Sequence, residues 1–429
     1  MKTKEKINHY IQLVCKQIRN KEVHPSITLE LENHIADKIE DFRSIGMGEK
    51  ESVEKAIAAM GDPTTLGRQL HQAHKPRMEW GIFGLAAALI GFGLFSMYSI
   101  NISRDEGGLL ERQLIGVLLG SVAFIAILFA DYTKLKRYSK HLYLLTLLLM
   151  LYTWLTGTAV NGEPQFMLGS SRINIFAIAP FLLIVSLAGI LSEWNWKARY
   201  SFMKIVAIFA LPLLVLLGGN NTFSLLLYLV GSLVLILTSK AYRRIILSFL
   251  AISIPIVASL FYFSMSHHHW ERLHSFLDPY ADPNGRGYVL VQSMKALSSA
   301  GLWGNGFGSP LDALPDIESD FIFTYLVYSF GLVAGAALVL IGVILFARLL
   351  RATKLVKDRY GFLLLSGWMA LFFTPFFWSI FMTIGLVPPT SATLPFVSNG
   401  IVHLVLQMAL IGLVLNVYRR KDIMQLTKQ

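Results

Sequence analysis

Charge is scarce in this chain. Only 15% of its 429 residues are Asp, Glu, Lys or Arg, while 54% are apolar. Soluble domains carry about a quarter charged residues, so water is not the solvent for most of the molecule. Cysteine is nearly absent: Cys15 stands alone, which excludes an intramolecular disulfide and any zinc site built from cysteines. The first 78 residues hold no apolar run long enough for a signal peptide or a membrane span, so they read as a soluble domain that stays in the cytoplasm. No internal repeat is evident, which speaks against transporter folds built from inverted halves.

What the chain has instead is apolar runs. Mean hydropathy is +0.54, gathered into stretches of about 17–25 residues, the length at which a helix crosses roughly 30 Å of hydrocarbon. Candidate spans begin near residues 80, 113, 142, 175, 202, 222, 245, 320, 361 and 397. The expected fold is all-α: a polytopic membrane protein of about ten transmembrane helices (residues 79–429) behind a small helical cytoplasmic domain (residues 1–78). Basic residues cluster in alternate loops, around Lys134 to Lys140, Lys197 to Lys204, Lys240 to Arg244, Arg348 to Arg359 and Arg419 to Lys421. Such loops face the cytoplasm, which puts both termini inside a cytoplasmic membrane. The net charge of +11 is then explained by topology and anionic lipid rather than nucleic acid. Pro180, Pro212, Pro255 and Pro375 fall within spans, where neighbouring helices satisfy the freed carbonyls.

In the N-terminal domain Leu29, Leu31, Ile35, Ile39 and Phe42 recur at helical spacing, with charges opposite. Gly46 and Gly48 interrupt this helix, and Val53, Ala56, Ile57 and Met60 restart the period. Gly61-Asp62-Pro63 stops it again, with Asp62 or Thr64 able to cap the next helix. Three short helices are expected. His34 reads as a surface or packing residue. The run from Leu31-Glu32-Asn33-His34 to Met60-Gly61-Asp62-Pro63 resembles the small helical prefix domain of several bacterial membrane proteins.

The longest hydrophilic stretch, about residues 267–318, is assigned to the outer face. A loop of this length between spans points to function. It carries Asp278-Pro279 and Asp282-Pro283-Asn284-Gly285-Arg286-Gly287-Tyr288, where proline fixes φ and glycine accepts positive φ, so tight turns follow one another. Such turns are able to hold a carboxylate over a cavity. His267 to His269 are weighed as metal ligands and read as interfacial residues.

These residues resemble the SEDS family, the FtsW/RodA/SpoVE-like cell-wall glycosyltransferases. The family loop is matched by Arg272, Phe276, Asp278, Pro279, Asp282, Pro283, Gly285, Gly287, Tyr288, Gln292, Ser293, Gly304, Gly306 and Gly308. Later family segments are matched by Leu314-Pro315-Asp316, Asp320-Phe321-Ile322-Phe323 and Val387 to Ser398. Elsewhere the chain departs. The charged motif before the fourth span has no counterpart between Ile173 and Leu182, an aspartate-containing segment has become Gly219 to Phe223, and Ser398-Asn399-Gly400-Ile401 replaces a Ser-Tyr-Gly-Gly.

The resemblance implies polymerisation of lipid II, the undecaprenyl-diphosphate disaccharide peptide, into glycan at the outer membrane face during elongation, division or sporulation. Diphosphate is already a good leaving group, so one general base and cationic stabilisation suffice. The resemblance assigns Asp282 as that base. Arg272, Arg286 and Lys295 are candidates to offset the diphosphate charge, and Tyr288, Gln292, Asp320 and Ser398 are candidate substrate contacts. Asp278 is a turn former, and Asp320 is either a helix-start cap or part of the site wall. A divalent cation would help, although no ligand set is visible. A class B penicillin-binding protein is the implied partner. A catalytically inactive scaffold for cell-wall synthases and a lipid II flippase remain alternatives.

Overall fold

The structure is a computed structural model and describes all residues except 1, 20, 74–77, 105–106, 161, 170, 240, 242–245, 248–250, 252–253, 256–275 and 421–429. The chain divides into two compact units. One holds Met1–Glu79 with Leu355–Asp358 and Val417–Gln429; the other holds Trp80–Lys354 and Arg359–Asn416.

Among the described residues of the N-terminal segment there are four α-helices rather than the three expected: α1 (Lys2–Lys16), α2 (His24–Ser44), α3 (Glu49–Ala59) and α4 (Pro63–Ala73). Helix α1 forms because Ile7, Tyr10, Ile11 and Val14 line one face. Tyr10, Ile11, Val14 and Ile18 are buried against Ile27, Leu31, Ile35 and Ala56. The buried stripe of α2 therefore runs through Ile27, Leu31 and Ile35 at i, i+4 and i+8. Leu29, off that stripe, is 50% exposed, and His34 is exposed. Gly67 lets α4 lie against α1, since a Cβ there would sit 2.7 Å from the Val14 carbonyl oxygen. Asp62 is the cap of α4: its Oδ2 accepts from the Thr65 amide and hydroxyl, each at 2.8 Å, and from the Thr64 hydroxyl. Those donors favour the ionised form and pull the carboxyl down to about 2.

The second unit is a polytopic helical membrane bundle. Its described helices are α5 (Trp80–Arg104), α6 (Leu109–Phe129), the short α7 (Tyr132–Arg137), α8 (Ser139–Thr156), α9 (Ile175–Ser192), α10 (Ser201–Gly218), α11 (Thr222–Thr238), α12 (Tyr288–Ser299), α13 (Ile322–Leu355), α14 (Arg359–Thr383) and α15 (Ile401–Arg419). Seven of these are long and apolar enough to cross a membrane. The apolar α8 and α11, of 18 and 17 residues, stand at two more of the expected positions. The span expected from about residue 245 lies largely outside the described residues. Pro180, Pro212 and Pro375 sit inside α9, α10 and α14.

At one end of the bundle Lys136 pairs with Glu193 at 3.1 Å and Arg359 donates to the Ser239 carbonyl at 3.1 Å. At the other end the chain builds more than the sequence foretells. A three-stranded antiparallel sheet, β1 (Thr158–Val160), β2 (Glu163–Leu168) and β3 (Ser171–Ile173), stands where only a loop is expected. Helix α12 divides the long loop. Helix α13 is broken at Gly331, whose φ of 86° and ψ of 171° are non-helical.

Candidate functional site

The segment Phe276–Tyr288 is a chain of turns. The Asp278 carbonyl and its Oδ1 both accept from the Ala281 amide, at 3.3 and 3.2 Å. Four residues on, the Asp282 carbonyl accepts from the amides of Gly285 (3.3 Å) and Gly287 (3.0 Å), while its Oδ2 accepts from the Arg286 amide at 3.1 Å. Both glycines are required by contact. A Cβ at Gly285 would lie 2.7 Å from the Asp282 Cγ, and one at Gly287 would lie 2.8 Å from the Pro279 carbonyl carbon. The Asp-Pro-x-Gly-x-Gly spacing is therefore a mould around one carboxylate. Asp282 and Arg286 are exposed. One Asp282 oxygen is anchored to main chain, and Oδ1 has no hydrogen-bond partner among the described residues. Such a group has a fixed orientation and an open acceptor position.

Helix α12 follows directly. Leu290, Val291, Ser293 and Ala296 are buried, whereas Tyr288 and Gln292 are half-buried and Lys295 is exposed. Positions 288, 292 and 295 fall on one helical face, so three predicted contacts share a side. Ser293 ties this helix to the bundle: its hydroxyl pairs with Thr324 Oγ1 at 2.8 Å and donates to the Thr383 carbonyl at 3.1 Å. Arg272 lies outside the described residues, as do His267 to His269.

The glycine-rich loop after α12 does a different job from holding a ligand. Breaking α13 at Gly331 orphans backbone groups on both sides. The loop satisfies four of them. Asn305 and Gly306 amides donate to the carbonyls of Tyr328 (2.9 Å) and Ser329 (3.0 Å), and the Leu332 and Val333 amides donate to the carbonyls of Gly301 (3.0 Å) and Leu302 (3.3 Å). Gly304, at φ +78°, passes so close that a Cβ would lie 2.5 Å from the Gly331 nitrogen. The Gly308 amide donates to Ser99 Oγ at 2.9 Å, and that hydroxyl also pairs with Tyr325 at 2.8 Å.

Asp320 stands two residues before the first residue of α13 and is half-buried. The preceding turn is fastened at Glu318, whose carboxylate meets Arg104 at 3.3 Å and whose carbonyl accepts from the Asn399 amide at 2.8 Å. Ser398 is 7% exposed. Its hydroxyl accepts from the Leu394 amide (2.8 Å) and donates to the Ser319 carbonyl (2.7 Å). Ser398 thus clamps the Pro388–Ser398 segment onto the turn before α13.

One group escapes sequence reasoning. Glu163, on the small sheet, accepts from Asn174 Nδ2 at 2.6 Å and from Asn221 Nδ2 at 2.9 Å. Asn174 and Asn221 are themselves the caps of α9 and α11, accepting from the amides of Ala177 and Ser224. A carboxylate is thereby held where two positive helix ends converge. The asparagines before apolar runs were a readable signal; their meeting with Glu163 was not. Among the described residues, no group of three or more His, Cys, Asp or Glu side chains is placed to hold a metal ion.

Comparison with known proteins follows the same boundaries. The FtsW/RodA/SpoVE pattern, described as "cell cycle protein", matches residues 79–423. The peptidoglycan glycosyltransferase MrdB of Escherichia coli K12 is 27% identical over 331 residues, covering 75% of this chain and 89% of that protein. A probable peptidoglycan glycosyltransferase FtsW of Aliivibrio salmonicida is 30% identical over 367 residues, covering 80% and 88%. In structure, a chain solved in a peptidoglycan synthase complex that coordinates polymerization and crosslinking aligns with a TM-score of 0.67 at 22% identity, covering 80% of this chain and 98% of that one. The rod shape determining protein RodA of Thermus thermophilus aligns at 0.59 and 22% identity, covering 80% and 97%. At this identity the structural likeness speaks for the fold.

Proposed function

The chain belongs to the FtsW/RodA/SpoVE family of cell cycle proteins, and from that premise we propose that it is an inverting peptidoglycan glycosyltransferase that polymerises lipid II. The observation that carries this reading is the Asp282 turn, a solvent-facing carboxylate with one oxygen held by the Arg286 amide and the other without a hydrogen-bond partner among the described residues. An acceptor sugar hydroxyl attacks the anomeric carbon of the donor, the bond to the polyprenyl diphosphate breaks, and the hydroxyl proton passes to Asp282. A single displacement inverts the anomeric centre. Arg286, two residues before the face formed by Tyr288, Gln292 and Lys295, offsets charge on the departing diphosphate, together with Arg272. Asp278 carries a similar arrangement one turn earlier, its Oδ1 held by the Ala281 amide, and it is the family resemblance that assigns the base to Asp282 and the turn to Asp278.

Relatives named as glycosyltransferases support the chemistry. The neighbour from a complex of polymerization and crosslinking supports a crosslinking partner, a class B penicillin-binding protein. The membrane is the cytoplasmic one, with the basic loops and both termini inside and the Asp282 end outside. In a chain whose Cys15 is replaced by serine, single cysteines at positions 138 and 355 should resist an impermeant thiol reagent in intact cells while one at 284 reacts. The opposite labelling would reverse the orientation.

The decisive experiment is lipid II polymerisation by purified protein. Asp282→Asn keeps the turn but removes the proton acceptor, and should lower the rate by roughly 10²–10⁴-fold with much smaller change in lipid II binding. Asp278→Asn should cost far less. Wild-type activity that survives Asp282→Asn sinks this assignment, and a wild type that binds partners without polymerising is a scaffold.

A further inference from the structure

Among the polar side chains buried in the bundle without a hydrogen-bond partner in the described residues, helical spacing places two beside the same turn. Gln113, on α6, is 1% exposed, and neither its Oε1 nor its Nε2 is bonded. Ser96, on α5, is fully buried with an unbonded Oγ. An unsatisfied buried polar group costs about 1–3 kcal/mol, so two in one neighbourhood call for an explanation.

Their placement supplies one. On α6 the positions 113, 116 and 120 share a face, and that face lies on α15: a Cβ at Gly116 would sit 3.4 Å from the Ile401 Cα, and one at Gly120 would sit 3.2 Å from the Met408 Cγ. The two helices run in the same direction. Gln113, one turn nearer the loop end than Gly116, therefore stands level with the turn that leads into α15. On α5, a Cβ at Gly93 would sit 3.0 Å from the Val397 Cα, and the Asn399 side-chain Nδ2 lies 3.7 Å from the Met97 sulfur. Ser96, between Gly93 and Met97, faces that same turn. The first amide of α15 to find a backbone acceptor is that of Leu404, which donates to Gly400 at 2.9 Å. The start of a 19-residue helix, with its positive end and free donors, thus meets an unsatisfied carboxamide and an unsatisfied hydroxyl. The turn between them is under strain, with Phe396 at φ +65°, and is tied down by the Gln407 side chain at 2.7 Å.

We propose that Gln113, Ser96 and the N-terminus of α15 form an oxyanion seat that binds the diphosphate of a polyprenyl-linked ligand. The ligand class rests on the glycosyltransferase reading; the seat itself rests on the orphaned donors. Anchored there, the diphosphate is held by neutral donors and a helix dipole, which replaces part of the charge this chain lacks elsewhere.

The test uses the full chain in lipid nanodiscs and the probe undecaprenyl diphosphate, with undecaprenol and inorganic diphosphate as separate arms. Replacing an unpaired buried amide with an apolar group of similar size removes a desolvation penalty. Gln113→Leu should therefore melt at the wild-type temperature or above it, yet bind undecaprenyl diphosphate about 10–100-fold more weakly, the loss expected for a hydrogen bond to a charged group. Ser96→Ala should weaken it less. Inorganic diphosphate should compete with the probe on the wild type, and undecaprenol should bind wild type and variant alike. Unchanged affinity for undecaprenyl diphosphate overturns the proposal, as does an equal loss for undecaprenol. If Gln113→Leu unfolds, Gln113→Met is measured in its place; unfolding of both makes Gln113 structural and also overturns it. Binding needs no turnover, so a wild type that fails to polymerise lipid II would retire the catalytic reading and leave this result standing.

Discussion

The N-terminal domain and the loop end of the membrane bundle are stabilised by opposite means. In the domain, side chains do the work: Val14, Val23, Ile35 and Ala56 are at most trivially exposed, and water drives them together. Its ion pairs, such as Lys6 with Glu54 and Arg43 with Glu49, lie on the surface with side chains roughly half or more exposed, where they contribute little. At the loop end the main chain does the work. The broken helix α13 is resealed by four backbone hydrogen bonds from the Gly301–Gly306 loop, Asp282 is set by backbone amides, and Ser293 and Ser398 fasten segments through carbonyls. Lipid gives apolar side chains no comparable drive to associate but penalises every unpaired amide. A protein that spans both solvents therefore keeps shape with its apolar residues in one and with its glycines in the other.

The sharpest way to break this contrast is at Gly304. Gly304→Val adds a side chain at φ +78° against the Gly331 nitrogen and should unseat the loop. Orphaning even two of those backbone groups costs about 1–3 kcal/mol each, and the strain adds to it. Thermal denaturation in detergent should show a loss on the order of 4 kcal/mol in the membrane unit. A melting temperature close to wild type would mean that the seam is not what holds α13. Next in size is Ile35→Ala, which empties a fully buried site in the helical domain and should cost roughly 3 kcal/mol there. Read by hydrogen exchange, protection across α2 should drop by about 10²-fold while glycan polymerisation stays the same. Deleting residues 1–74 should likewise leave insertion and activity largely intact; activity lost from an inserted, stable protein would join the domain to the mechanism. The smallest effect concerns Asp62. Its carboxyl is ionised down to about pH 2 in the folded state, below the ordinary 3.8, so the cap contributes fully above pH 4 and fades as pH falls from 4 to 2. Protection of α4, corrected for intrinsic exchange, should decline over that window in wild type and not in Asp62→Ala.

Much of the turn geometry around Asp282 was readable in advance because it is local. Asp-Pro followed by Gly-x-Gly dictates turns within ten residues of chain, and the structure shows that each glycine is there because the Asp282 carboxylate or the Pro279 carbonyl already occupies the space. Positions 288, 292 and 295 share a face by helical arithmetic alone. The Gly304-x-Gly306-x-Gly308 pattern was legible as a motif, but its task was not, since the groups it satisfies lie some 25 residues later at Gly331. Leu29 illustrates a smaller gap: helical spacing put it on the apolar face of α2, but packing against α1 buries Ile27, Leu31 and Ile35 and leaves Leu29 half exposed.

By itself the sequence determined that the chain is a polytopic helical protein and where most of its long apolar helices lie, because hydropathy and caps act on a few neighbouring residues at a time. Only the tertiary structure decided where Glu163, Asn174 and Asn221 meet, which segments the Ser293 and Ser398 hydroxyls clamp, and that Gln113 and Ser96 have no hydrogen-bond partner among the described residues. Those outcomes join residues up to about 300 positions apart, and in a packed bundle the pairing of distant polar groups follows from helix contacts that no local pattern encodes.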